Sequence, residues 1–152
     1  MVENHNRATL ILCALVAVIF VGLVIKFQSV TQEARVTGAK MAEVWMRDSV
    51  QRYRESWLLQ GEPKQMEVDG FQLTMTQWGL VSPFNKQGDL DCVYWLAVHY
   101  PQRKIMTSEP SEIAGTIKNN ITICKYTYSD NYQVKVTTQQ SHVTVDVEIL
   151  SE

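Results

Sequence analysis

The sequence contains few residues of several types whose abundance would indicate a particular class of protein. Glycine (7) and proline (4) are scarce among the 152 residues, which excludes collagen-like and low-complexity chains. Positive charge is not in excess, since 14 Lys and Arg stand against 16 Asp and Glu, and this balance argues against nucleic acid as a partner. Hydrophobic residues make up 45% and charged residues 20%, which excludes a disordered polyelectrolyte.

Motifs of catalysis and metal binding are also missing. The three histidines, His5, His99 and His142, are isolated in the sequence and show no metal-ligand spacing. There is no Cys-x-x-Cys, no glycine-rich phosphate loop and no Gly-x-Ser-x-Gly. Asp89 and Asp91 are interpreted as turn and cap residues rather than as a catalytic pair. We therefore expect no enzymatic activity, no cofactor, no metal and no small-molecule substrate.

Charge is absent from residues 8–25, between Arg7 and Lys26. Eighteen helical residues rise about 27 Å, close to the roughly 30 Å hydrocarbon core of a bilayer. The alternative is a cleaved signal peptide, but its apolar region is usually shorter, and no Ala-x-Ala site follows Lys26. We expect residues 1–26 to form a short cytoplasmic tail and a transmembrane anchor. The positive charges on the two sides do not decide the orientation.

Cysteine is rare, and its positions bear on the compartment. Cys13 lies in the apolar segment, while Cys92 and Cys124 lie 32 positions apart in the remainder. One such pair suits a structural disulfide in an oxidising compartment, and the alternative is two free buried thiols in the cytoplasm. An anchored chain raises the expectation of export. We therefore expect the disulfide Cys92–Cys124, with residues 27–152 in the periplasm.

The apolar pattern after residue 27 predicts a helical stem. Met46, Val50, Tyr53 and Trp57 fall on one helical face, and the stem is expected to end near residue 60, before glycine and proline. Gly38 is a possible interruption. The outer half of this stem needs something on which to pack its apolar face.

The remainder is expected to be mainly β. Residues 66–68 and 71–76 flank Asp69-Gly70, which predicts a type I′ hairpin. Residues 121–128, 132–138 and 142–149 predict an antiparallel meander. Residues 91–100 are either a buried strand or a short helix, and residues 104–119 are expected to be a loop with one helical turn at most. The predicted class is α+β, with a transmembrane helix continuing as an amphipathic stem packed on an antiparallel β-meander.

This plan, with its single disulfide, resembles the type IV pilin-like proteins. A more specific resemblance, to the F component (MshF) family of the mannose-sensitive haemagglutinin (MSHA) type IV pilus biogenesis system, is carried by landmark segments along most of the chain. They are residues 57–63 (WLLQGEP) and 78–83 (WGLVSP), Asp91-Cys92, Trp95-Leu96, Tyr100-Pro101 and Lys104-Ile105. The resemblance implies a single-pass protein of the bacterial inner membrane that contacts membrane lipid and other pilus assembly proteins or pilins.

One departure from classical pilins concerns processing. No glycine precedes the apolar segment, and no acidic residue lies within residues 8–25. We therefore expect neither prepilin processing nor polymerisation through a glutamate in this segment. Two alternatives remain open, namely a minor pilin in the fibre and an anchored periplasmic ligand-binding or sensing module.

Overall fold

The computed structural model describes residues 2–105, 107–129 and 132–150, without the side chains of residues 2–9, 28–33 and 35. The chain divides into two compact units, Met1–Thr37 and Gly38–Glu152. Helix α1, Val2–Leu59, begins in the first unit and ends in the second. Gly38 lies within it and is itself helical.

The first unit contains an apolar helical segment. Among the described residues, Leu10–Phe27 is the one segment that is long and apolar enough to cross a membrane, judged by its length and composition. None of its side chains is buried. The predicted apolar helix is therefore present.

In the second unit, α1 ends as the sequence predicts. The amides of Gly61 and Glu62 donate to the carbonyls of Leu58 and Trp57, and Gly61 has a φ of 78°. A positive φ is adopted by glycine at little cost, which is why helices commonly stop at this residue.

A hairpin follows, formed by β1 (Gln65–Val68) and β2 (Phe71–Thr74). Asp69 and Gly70 both have positive φ, 53° and 79°, as a type I′ turn requires. Val68 pairs with Phe71 and Gln65 with Thr74 in antiparallel register. The predicted hairpin is confirmed.

The ambiguous apolar segment is a helix, α2 (Cys92–His99). Asp91 is its N-cap, because its Oδ1 accepts the Tyr94 amide at 2.8 Å. The cap satisfies an amide that has no partner within the helix.

A four-stranded antiparallel sheet completes the unit. Its strands are β3 (Pro110–Lys118), β4 (Ile121–Tyr128), β5 (Tyr132–Gln139) and β6 (His142–Ile149), in the order β3-β4-β5-β6. The last three match the predicted meander, although residues 130 and 131 of the expected turn lie outside the described residues. The expectation of a loop over residues 104–119 is wrong, because most of it is β3. Its sequence, PSEIAGTIK, has no regular alternation of apolar and polar residues that would have predicted a strand, and seven of its nine residues are exposed.

One core cluster lies between the end of α1, the hairpin and α2. Tyr53 and Trp57 are buried there with five further apolar residues, Met66, Leu73, Met75, Val81 and Val98. The Tyr53 hydroxyl donates to the carbonyl of Val98 at 3.2 Å. Arg47 joins the same helix to β6, since its Nη2 donates to the carbonyl of Val145 at 2.9 Å. The unit is α+β, with two antiparallel sheets.

The landmark segments of the sequence contact one another in this fold. The Trp57 ring lies against Gly79, where a Cβ atom would come within 2.3 Å of Cε3. The indole Nε1 of Trp57 donates to the carbonyl of Pro63 at 3.0 Å. The amide of Asp91 donates to the carbonyl of Pro83 at 2.7 Å. These segments therefore act as packing and capping elements.

Candidate functional site

An apolar patch lies on the exposed side of α1 in the second unit. It consists of Met41, Val44 and Trp45, which are 55%, 63% and 55% exposed. Positions three and four apart lie next to one another on a helix, so the three side chains form one surface. We call this surface the α1 patch.

The same stretch of helix buries its other side. Ala39, Ala42 and Met46 are fully buried, and Ser49 is nearly so. The two faces show that the α1 patch is not the core-facing stripe predicted from Met46, Val50, Tyr53 and Trp57. That stripe holds in part, because Met46, Tyr53 and Trp57 are buried and Val50 is half-buried.

A polar boundary limits the α1 patch along the helix. Glu43 Oε1 lies 2.8 Å from Arg47 Nη2, four residues on, and Arg47 also bonds the Val145 carbonyl. These contacts orient both charged side chains within the chain. An apolar surface with a polar rim is typical of a protein contact.

The four tryptophans divide between the core and the surface. Trp57 and Trp95 are buried at 6% and 2% exposure. Trp45 lies in the α1 patch, and Trp78 is 38% exposed beside Gly79. Exposed tryptophan is unusual in a folded unit and is enriched in interfaces.

Cys92 and Cys124 are joined in a disulfide, with a Cα–Cα distance of 5.6 Å. Cys92 begins α2 and Cys124 lies in β4, so the bond ties the helix to the sheet. The Tyr126 hydroxyl reinforces this connection by donating to the carbonyl of Cys92 at 2.9 Å. Burial, foremost, raises the pKa of Tyr126, which therefore stays a neutral donor. Both sulfurs are buried, and the bond is structural.

A serine and a histidine lie in contact in the core. Ser49 Oγ and His99 Nδ1 are 2.9 Å apart, a distance that suits a nucleophile and its base. However, the two residues are only 5% and 3% exposed, and Nε2 of His99 has no hydrogen-bond partner among the described residues. Burial, and then the charge of Arg52, lowers the pKa of His99 to about 3. The pair is inaccessible to a substrate and belongs to the core.

Surface depressions lie beside Trp57 and Pro63, between Arg54 and His142, and around Asn85 and Tyr94. None of their lining residues is Ser49 or His99. Within the described ranges, no group of three or more His, Cys, Asp or Glu side chains could hold a metal ion. Asp89 and Asp91 lie in the predicted turn and cap roles.

Sequence analysis did not identify the α1 patch as a surface. Met41, Val44 and Trp45 have the helical spacing that would have revealed it. The signal was ambiguous, because a helix with apolar residues on two faces does not show which face is buried.

Comparison with known proteins identifies no relative. No family model matches the chain, and neither a curated protein nor a solved structure does.

Proposed function

We propose that this chain is a non-enzymatic component of a type IV pilus biogenesis system of the MSHA type. Leu10–Phe27 anchors it in the bacterial inner membrane, and the Gly38–Glu152 unit lies in the periplasm. It acts by contacting other pilus assembly proteins or pilins.

The observation that carries this proposal is the α1 patch. Its exposed tryptophan, methionine and valine lie on a helix whose opposite face is already packed. An apolar surface of this kind is stabilised when a partner removes it from water. Contact with a protein therefore suits the chain better than chemistry on a small molecule.

Three further features support the membrane and pilus parts of the proposal. The apolar segment has the length of a membrane span, and the disulfide suits an oxidising compartment. The landmark segments that carry the more specific resemblance, to the F component family, cap and pack against one another. This arrangement supports a shared fold rather than a shared catalytic site.

The first experiment locates the chain in cells that assemble the pilus. Membranes are fractionated, pili are sheared off, and the intact mass of the chain is measured in each fraction. We expect the unprocessed chain in the inner membrane, with a mass two hydrogens below the reduced value. A shortened form in the sheared fibres would instead make it a minor pilin, and a soluble form would contradict the anchor.

The second experiment tests the α1 patch itself. Trp45→Asp introduces a charge into the patch, and Leu58→Asp is the matched control, because Leu58 is similarly exposed at 53% on the same helix. We expect chain deletion and Trp45→Asp to abolish surface pili and Leu58→Asp to retain them. Normal piliation with Trp45→Asp, in a strain that needs the chain, would contradict the patch as the contact. Normal piliation after deletion would contradict the proposed function.

A further inference from the structure

The edge strand β3 leaves one side of the four-stranded sheet open. β3 pairs with β4 alone among the described strands, and seven of its nine residues are exposed. An edge strand presents unpaired amide and carbonyl groups to which another strand can add.

The other edge of the sheet is different. Arg47 donates to the carbonyl of Val145 in β6, so a helix side chain already contacts that edge. On β3, the backbone features that discourage pairing lie at the beginning of the strand. They are Pro110, which has no amide hydrogen, and a register irregularity between Pro110 and Glu112. Residues 112–118 have neither feature.

The sequence of this open stretch is complementary to itself. In an antiparallel pair of two β3 strands centred on Gly115, Glu112 of each copy lies opposite Lys118 of the other. In the same register Ile113 lies opposite Ile117. The pairing therefore makes two opposite-charge pairs and two apolar pairs, which are the cross-strand combinations that stabilise sheets.

Neighbouring registers lose this complementarity. A shift by one or two residues in either direction sets Glu112 opposite an uncharged residue, namely Ile117, Thr116, Asn119 or Asn120. Within the described part of the chain, neither Glu112 nor Lys118 has an ion-pair partner. The charges of β3 thus select one register and remain available for it.

The two faces of β3 also suit this arrangement. A Cβ atom at Gly115 would lie 2.8 Å from Leu90 Cδ2 and 2.9 Å from Cys92 Sγ, so Gly115 faces the α2 side. Ile113 and Ile117 share that face by strand alternation, whereas Glu112 and Lys118 lie on the solvent face. Ile117 is 54% exposed in one copy, and pairing would cover part of it.

We propose that β3 is a self-association edge, through which two copies of this chain join their sheets in antiparallel register about Gly115. The symmetry is that of a two-fold dimer, in which the same surface serves both copies. A strand pair alone is a small interface, so the association is modest and benefits from a shared membrane that keeps copies close.

The test uses charge exchange in the full chain in detergent micelles, with dimer dissociation followed by analytical ultracentrifugation. Glu112→Lys opposes lysine to lysine twice, and Lys118→Glu opposes glutamate to glutamate twice. Each is expected to weaken dimerisation about tenfold or more, because like charges directly opposite are destabilising. The double variant restores both pairs and is expected to recover the wild-type Kd. Lys86→Glu, in an exposed loop, controls for net charge.

A second measurement probes the register in membranes. Ala114→Cys and Thr116→Cys chains, both carrying Cys13→Ser, are produced together and oxidised, because these two positions lie opposite each other across the pair. We expect an intermolecular disulfide in the mixture and much less with Lys86→Cys. A wild-type chain that stays monomeric in micelles and is not cross-linked in membranes would overturn the proposal. A dimer that both single charge variants leave unchanged would overturn it too, and its loss with Trp45→Asp would assign the contact to the α1 patch.

Discussion

Lowering the pH from 7.5 to 5 is expected to reduce the free energy of unfolding of the Gly38–Glu152 unit by about 2 kcal/mol through His99. The pKa of this side chain is lowered from 6.5 to about 3 in the folded chain. The folded state thus favours the neutral imidazole, and its contribution is fully present above pH 6.5. Below pH 6.5 the unfolded chain takes up the proton and the folded chain does not, at a cost of about 1.4 kcal/mol per pH unit.

The structure explains the size of this effect. His99 is the last residue of α2, where the helix dipole favours a cation by up to about 2 kcal/mol. Burial disfavours the cation by more than the dipole favours it, because the lowering of the pKa corresponds to about 5 kcal/mol. The ring lies between Tyr53 and Trp95, with centroid distances of 5.5 and 4.2 Å, and Nε2 has no hydrogen-bond partner among the residues that the structure describes.

The assay is urea unfolding of the full chain in detergent, monitored by tryptophan fluorescence at pH 7.5, 6 and 5. His142→Gln is the matched control, because this histidine is exposed and the variant retains His99. Ser49→Ala combined with His99→Phe removes both polar partners and is expected to flatten the slope. A His99 ring that titrates near pH 6.5 by NMR in the folded chain would refute the reasoning.

Two further predictions concern packing. Replacement of Cys92 and Cys124 by alanine is expected to lower the free energy of unfolding by about 3–4 kcal/mol, from the loop-closure entropy of a 32-residue separation; equal urea midpoints for oxidised and reduced protein would contradict it. Gly79→Ala is expected to cost about 2–3 kcal/mol, because the φ is 72° and the added Cβ overlaps the Trp57 ring. Gly88→Ala is the control, because Gly88 has a φ of 90° but open space around it, and it is expected to cost about 1 kcal/mol. Equal losses of stability in the two variants would show that the Trp57 ring moves aside.

Much of the fold could be predicted wherever a short-range pattern determines it. The hairpin follows from Asp69-Gly70, and the strands β4, β5 and β6 follow from their alternation and residue types. The end of α1 follows from glycine at residue 61. In each of these places local preference and tertiary packing agree.

The prediction of secondary structure was wrong for β3 and undecided for α2, because the structure of both depends on residues that are distant in the sequence. β3 is a strand because β4 pairs with it, and its own exposed side chains carry no periodic signal. Its one local sign is Asn119-Asn120, whose positive φ values of 51° and 61° form the two-residue turn into β4. The helix α2 was one of two alternatives, since a buried apolar run suits either structure.

By itself, the sequence determined the apolar segment, the class of the folded unit and the turns, because length, periodicity and turn residues act over a few positions. The sequence also contains the complementary charges of β3, but their pairing could be inferred only once β3 was known to be an edge strand. Only the tertiary structure decided which side of α1 is buried, which edge of the sheet stays open and that His99 is sealed from water. These properties depend on which residues pack against one another, and the packing partners lie tens of positions apart in the sequence.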